Sequence, residues 1–102
     1  MIKVLEILEV NPDHIICRLS NNYLKKINLK PLISNHSHLN GIEKLNDVNY
    51  LKLAQIGILG EIFWPETIKN SDADIWNYDI SPEYINHCGE DVDKESVEIA
   101  GK

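Results

Sequence analysis

Two short runs carry the residue types that bind transition metals, His36-Ser37-His38 and His87-Cys88. Zinc takes imidazole nitrogen and thiolate sulfur in tetrahedral geometry, so two such pairs could close a site. The spacing argues against it: His-x-His on a loop is not a zinc-finger spacing, and adjacent His and Cys side chains rarely both reach one ion. Exposed loop histidines and a half-buried thiol are expected instead. A catalytic thiol would need a base and a group that orients the base. Cys17 alternates with Ile15 and Leu19 on one face of a strand, where free cysteine behaves as a small hydrophobe. Cys88 stands at the end of a short helix, the end of the dipole that disfavours a thiolate.

Carboxylates gather at Glu66, Asp72, Asp74 and Asp79. Paired carboxylates serve acid–base chemistry or hold a hard cation. No Asp-x-Asp-x-Asp-Gly loop with a distal Glu is present, so solvated turn residues are expected. A concave pocket lined by Asp74, Asp79 and His87 is the arrangement that would favour an enzyme. No glycine-rich phosphate loop is present. These residues assign no catalytic, cofactor-binding or metal position, and no cofactor is expected.

The aromatic group offers binding rather than catalysis. Trp64, Trp76, Tyr78 and Tyr84 form the candidate interface, with Phe63 beside them. Trp and Tyr are enriched at binding hot spots because a large ring buries area at little entropic cost. Trp64, before Pro65, reads as core or rim. Trp76 lies in a polar stretch, where it either meets a partner or pins that stretch to its own domain. Small domains use every large side chain they have, which favours pinning.

The elements that must position these groups read as follows. Ile2 to Val10 is a strand stopped by Asn11-Pro12-Asp13, and His14 to Ser20 is a second strand. Asn21-Asn22 tolerate the positive φ of a two-residue hairpin turn, and Tyr23 to Leu29 returns. That loop places Leu19 opposite Leu24, Ile16 opposite Ile27, and Arg18 opposite Lys25, a like-charge pair. Pro31-Leu32-Ile33 gives a short turn or a single helical turn, and Ser34 to Gly41 a polar loop. Asp47 caps a helix reaching about Gln55. Glu61 to Trp64 is a strand that Pro65 ends or confines to an edge. Glu66 to Asp74 is polar and looped. Ser81-Pro82-Glu83 starts a short helix with Ser at N-cap and Pro at N1, closed by Gly89. The fold class is α+β: a small antiparallel sheet, made of an N-terminal meander plus a later strand, with two short helices. Residues 1–89 form one domain and residues 90–102 an acidic, disordered tail.

The chain has 102 residues and a net charge of −6, with 16 acidic against 10 basic residues. Such a surface repels phosphate backbones, and Lys25, Lys26 and Lys30 are too few to reverse that. Nucleic-acid binding by this chain alone is therefore not expected. Two cysteines without a CxxC, and no secretory leader in Met1-Ile2-Lys3, suggest a cytoplasmic protein with reduced thiols. No run approaches the ~20 apolar residues that cross a bilayer.

Three pieces resemble domain-of-unknown-function family 2442, a family of small bacterial α+β domains, over residues 2–86. Leu19-Ser20-Asn21-Asn22 with Ile27-Asn28-Leu29 and Leu32-Ile33 is similar to the family's hairpin. Glu61-Ile62-Phe63-Trp64-Pro65 is similar to its strand ending in Trp-Pro. Tyr78-Asp79-Ile80-Ser81-Pro82-Glu83 is similar to its Asp-Ile-x-Pro-Glu ending. Two departures stand out: residues 66–77 are inserted between the last two pieces, and Asn28 replaces an acidic residue common after the hairpin. The resemblance implies no activity. It implies a small protein encoded beside a second small protein, or fused to a helix-turn-helix domain, by analogy alone.

The expectation is a non-catalytic protein-interaction module, antitoxin-like or regulatory, that meets a protein partner or a second copy of itself. An accessory domain of a DNA-associated transcriptional regulator is the alternative. A small enzyme ranks third.

Overall fold

Asn11 builds the first turn, its Oδ1 accepting from the backbone N–H groups of Asp13 and His14, both at 2.9 Å. In a computed structural model, which describes residues 1–72 and 74–93, that turn joins β1 (Val4–Val10) to β2 (His14–Leu19). β3 (Leu24–Asn28) follows, then α1 (Leu29–Asn35), a 3-10 turn (Ile42–Asn46) and α2 (Val48–Leu51). The chain continues as β4 (Gln55–Ile56), β5 (Ile62–Lys69), β6 (Ile75–Ile80), α3 (Pro82–Cys88) and β7 (Glu90–Asp91). Two antiparallel sheets result, in the orders β1-β2-β3-β7 and β4-β5-β6.

One apolar cluster joins them. Ile15, Cys17, Leu19 and Ile27 come from the first sheet; Ile62, Trp64, Tyr78 and Ile80 come from the second; Leu29, Leu32, Leu51 and Ile85 come from the helices. The α+β class and the N-terminal meander are as the sequence predicts, and both predicted caps are used. Asp47 accepts from Asn49 N–H, and Ser81 accepts from Tyr84 N–H with Pro82 at the helix start. Among the described residues, no helix is long and apolar enough to cross a membrane.

Several elements differ from the sequence reading, each for a local reason. Leu19 N–H donates to Tyr23 O at 2.9 Å, so residues 20–22 close the β2–β3 turn: Asn22 alone takes positive φ (73°), and its N–H donates to Leu19 O at 3.0 Å. Ser20 leaves the ladder because its Oγ and N–H both bond Lys3 backbone atoms, at 2.9 and 2.8 Å. The odd-length loop slips the register by one, so Arg18 faces Leu24 and Cys17 faces Lys25. The expected like-charge pair is thereby avoided. α1 is longer than a single turn and takes in Ser34 and Asn35, whereas the helix capped by Asp47 stops at Leu51 rather than Gln55.

Pro65 does not end its strand. β5 runs through it, with an irregularity between Trp64 and Ile68 where Glu66 takes φ 51° and its N–H donates to Asn77 Oδ1 at 3.1 Å. Neither β4 nor β6 registers with Pro65, so no ladder bond is missing there. Glu66 to Lys69, expected as loop, is therefore one arm of a hairpin whose other arm is Ile75 to Asn77. Glu90 and Asp91, placed in a disordered tail by composition, pair with Lys26 and Lys25. The remaining tail, 94–102, lies outside the described residues.

Candidate interaction surface

Asn70 shapes the tip of the β5–β6 hairpin, its Oδ1 accepting from the N–H groups of Asp72 and Asp74, both at 2.9 Å. Asn70 N–H donates to Asp74 O at 3.0 Å, and Lys69 N–H ties the hairpin to Asn40 O at 2.9 Å. The tip is thus held by the Asn70 side chain together with backbone bonds. Ile75 and Trp76 emerge beside it, each 59% exposed. Among the described residues β6 pairs with β5 on one side only, so its outer edge offers backbone donors and acceptors to another strand. Glu66, Asp72, Asp74 and Asp79 are all exposed along this hairpin.

Of the four aromatic residues read as a candidate interface, the structure leaves Trp76 as the broadly exposed one. Trp64 is wholly buried, and its Nε1–H donates to Leu51 O at 3.1 Å. Tyr78 is buried against it. Both therefore leave the candidate surface, because alternation along β5 and β6 turns them to the core side of the sheet. Burial, with Tyr84 and Asp79 adding repulsion, pushes the Tyr78 phenol well above its ordinary range. Tyr84 is half-buried on α3 in a separate cleft of about 200 Å³ with Pro31, Leu32, Asn35 and Cys88. Its phenol is raised by burial first and Cys88 second. Ile75 is the surface residue that the candidate set lacked. The alternation of IWNYDI as a strand is the signal that would have found it.

The chemistry-bearing groups are dispersed. His36 Nδ1 lies 3.0 Å from Leu32 O and 3.0 Å from the Tyr78 hydroxyl. A carbonyl only accepts, so Nδ1 carries a hydrogen there. His38 stands with its ring 6.3 Å away, while His87 and Cys88 sit on α3. Among the described residues, no three or more His, Cys, Asp or Glu side chains gather as a metal site. Cys17 and Cys88 are both free thiols. Burial pushes the Cys17 thiol up to about 12, which disfavours the nucleophilic thiolate.

Asp79 lines a cleft of about 270 Å³ with Leu59, Glu61, Ser81, Pro82 and Glu83. Asp74 and His87 do not line it, and Glu61 and Ser81 there accept from the N–H groups of Leu59 and Tyr84. A histidine–carboxylate pair that the sequence did not reveal joins His14 Nε2 to Glu9 Oε2 at 2.6 Å, with Asn11 Nδ2 bonded to the same carboxylate at 3.2 Å. It clasps the β1–β2 turn. No protein-family model, no curated protein and no solved structure matches the chain.

Proposed function

We propose that this chain is a non-catalytic protein-interaction module, antitoxin-like or regulatory, which meets its partner through Trp76, Ile75 and the outer edge of β6. The observation that carries this reading is the pair of large apolar side chains, 59% exposed, on a strand with one open side. An open edge adds a partner strand through main-chain bonds, while the side chains supply selectivity. The carboxylates along the hairpin suit a basic partner. Self-association through the same edge would bring like charges together, so a second copy is the weaker candidate.

Membership of domain-of-unknown-function family 2442 belongs to the same proposal. Its support is that Trp64-Pro65 and Asp79-Ile80 stand on paired strands, so that the inserted residues extend one hairpin outward. Free thiols at Cys17 and Cys88 fit a cytoplasmic location. The regulator reading gains nothing from Lys25 and Lys26, which are engaged by Asp91 and Glu90.

Size-exclusion chromatography with light scattering, comparing wild type and Trp76→Ala under a circular dichroism control, tests the surface. A dimer that becomes a folded monomer would identify a second copy as the occupant. If both are folded monomers, a photo-crosslinking residue at position 76 should capture a basic protein in cells, and one at an exposed site remote from β6 should not. Unfolding of Trp76→Ala would overturn the proposal by making the ring structural.

A further inference from the structure

We propose that the outer edge of β3, with Lys25 and Lys26, is a docking surface for an extended acidic segment of another protein, and that β7 occupies it as a displaceable strap. The surface lies on the first sheet, apart from β6 and Trp76 on the second. Its present occupant shows what it accepts. Asp91 pairs with Lys25 and Glu90 with Lys26 in antiparallel register, and Val92 N–H donates to Leu24 O at 3.0 Å. Lys25 Nζ meets Asp91 Oδ1 at 2.6 Å, and Lys26 Nζ meets Glu90 Oε2 at 3.4 Å. Asn28 Nδ2 also donates to Glu90 Oε1, at 3.1 Å.

The two sides of this contact are unequal. The Lys25 side chain is 11% exposed, whereas the Asp91 side chain is 72% exposed and that of Glu90 56%. The cation is held inside the fold, near the Tyr23 ring at 5.4 Å, and the anions lie shallowly over it. β7 itself helps cover Lys25, so departure of the strap breaks the ion pair, and a replacement that brings an anion restores it. Departure of β7 also opens the β3 ladder, whose N–H and C=O groups a peptide strand satisfies and a phosphodiester backbone cannot. Among the described residues the paired part of the strap is Glu90–Asp91, both exposed, and exposed elements open at the low end of a protein's stability range. Its hold combines these ion pairs and the Val92–Leu24 bond with direct attachment to α3, and attachment gives an effective concentration on the order of millimolar. A longer acidic strand in trans extends the same ladder and displaces it.

The test uses the full chain, isotopically labelled for amide resonances, in wild-type form and as the double variant E90K/D91K. The probe is a synthetic peptide with the sequence of residues 89–93, Gly-Glu-Asp-Val-Asp. Reversing the strap's charges removes the internal competitor, so the peptide should shift the Leu24, Lys25 and Lys26 amides of the variant with about tenfold or greater gain in affinity over wild type. Lys25→Met in the same background, which keeps the stem and removes the charge, should abolish the shifts. If E90K/D91K does not fold, Val92→Pro loosens the strap by deleting the N–H donated to Leu24, and the same gain is expected. Equal affinity for wild type and loosened chain would overturn the proposal, as would absence of shifts in both. Displacement of the peptide by inorganic polyphosphate at equal charge would overturn it too, by reducing the surface to a polyanion patch.

Discussion

The indole of Trp64 stacks on the ring of Tyr78 with centroids 5.8 Å apart and planes inclined at 27°. Each ring then reaches a helix with its polar atom: Trp64 Nε1–H donates to Leu51 O, and the Tyr78 hydroxyl meets His36 Nδ1. The stacked pair therefore fastens the β5–β6 sheet to the end of α2 and to the residue that follows α1. Replacing Trp64 with alanine should cost about 3–5 kcal/mol, the usual range for a buried aromatic. Tyr78→Phe keeps the stack and loses only the hydroxyl contact, so about 1 kcal/mol is expected. Urea unfolding of the two variants separates these magnitudes. Similar losses in both would mean that the stack contributes little.

Trp76 should behave in the opposite way, although it lies only two positions from Tyr78 along β6. Its ring is 59% exposed, and Trp76→Ala should change stability by less than about 0.5 kcal/mol. The chain contains two tryptophans, which makes the contrast directly visible in fluorescence. Acrylamide should quench the emission of a Trp64→Phe variant strongly and that of a Trp76→Phe variant weakly. Equal quenching would contradict the difference in burial.

What could be read from the sequence follows from how local each determinant is. The caps at Asp47 and Ser81 need only side-chain oxygens next to their own helices, and both were legible. The Ile15, Cys17 and Leu19 face needs only alternation. The β2–β3 register was missed because Ser20 is drawn out of the ladder by Lys3, a partner 17 positions away. Pro65 and the polar run after it concealed the long hairpin: the strand crosses them through an irregularity at Glu66, supported from Asn77 across the hairpin. Trp76 was visible as a candidate, but its exposure depended on that hairpin. The strap was hidden by composition, since Glu90 and Asp91 resemble a solvated tail until β3 brings Lys25 and Lys26 beneath them.

Gly41 should be nearly irreplaceable. It takes φ of +110°, and a Cβ there would sit 2.1 Å from the backbone oxygen of Thr67. Thr67 cannot yield easily, because it is wholly buried and its Oγ1 donates to Trp64 O at 3.0 Å. Gly41→Ala combines backbone strain with a clash and should cost about 2–4 kcal/mol. Gly57→Ala is the matched control. Its Cβ would meet the carboxylate of Glu61, the end of a flexible side chain, and should cost less than about 1 kcal/mol. Thermal melts of the two variants should differ clearly, and coincident melts would refute the close approach at Gly41.

Cys17 and Cys88 should separate both in reactivity and in their effect on alkaline stability. Cys17 is wholly buried and burial pushes its thiol up from 9.0 to about 12, whereas Cys88 is exposed. A thiol reagent at pH 8 should therefore modify Cys88 rapidly in the native chain and reach Cys17 only on unfolding. The sign of the pH effect follows from proton counting. Below pH 9 the Cys17 thiol is neutral in both folded and unfolded chains, and contributes no slope. Between pH 9 and about 12 the unfolded chain releases this proton while the folded chain keeps it, so stability falls as pH rises. The Tyr78 phenol, also raised by burial, acts in the same direction. Cys17→Ala removes one of these groups, and its stability should decline less steeply than that of wild type from pH 9 upward in denaturant titrations. Parallel slopes, or modification of both thiols at one rate in the native chain, would show that Cys17 is not sealed within the sheet.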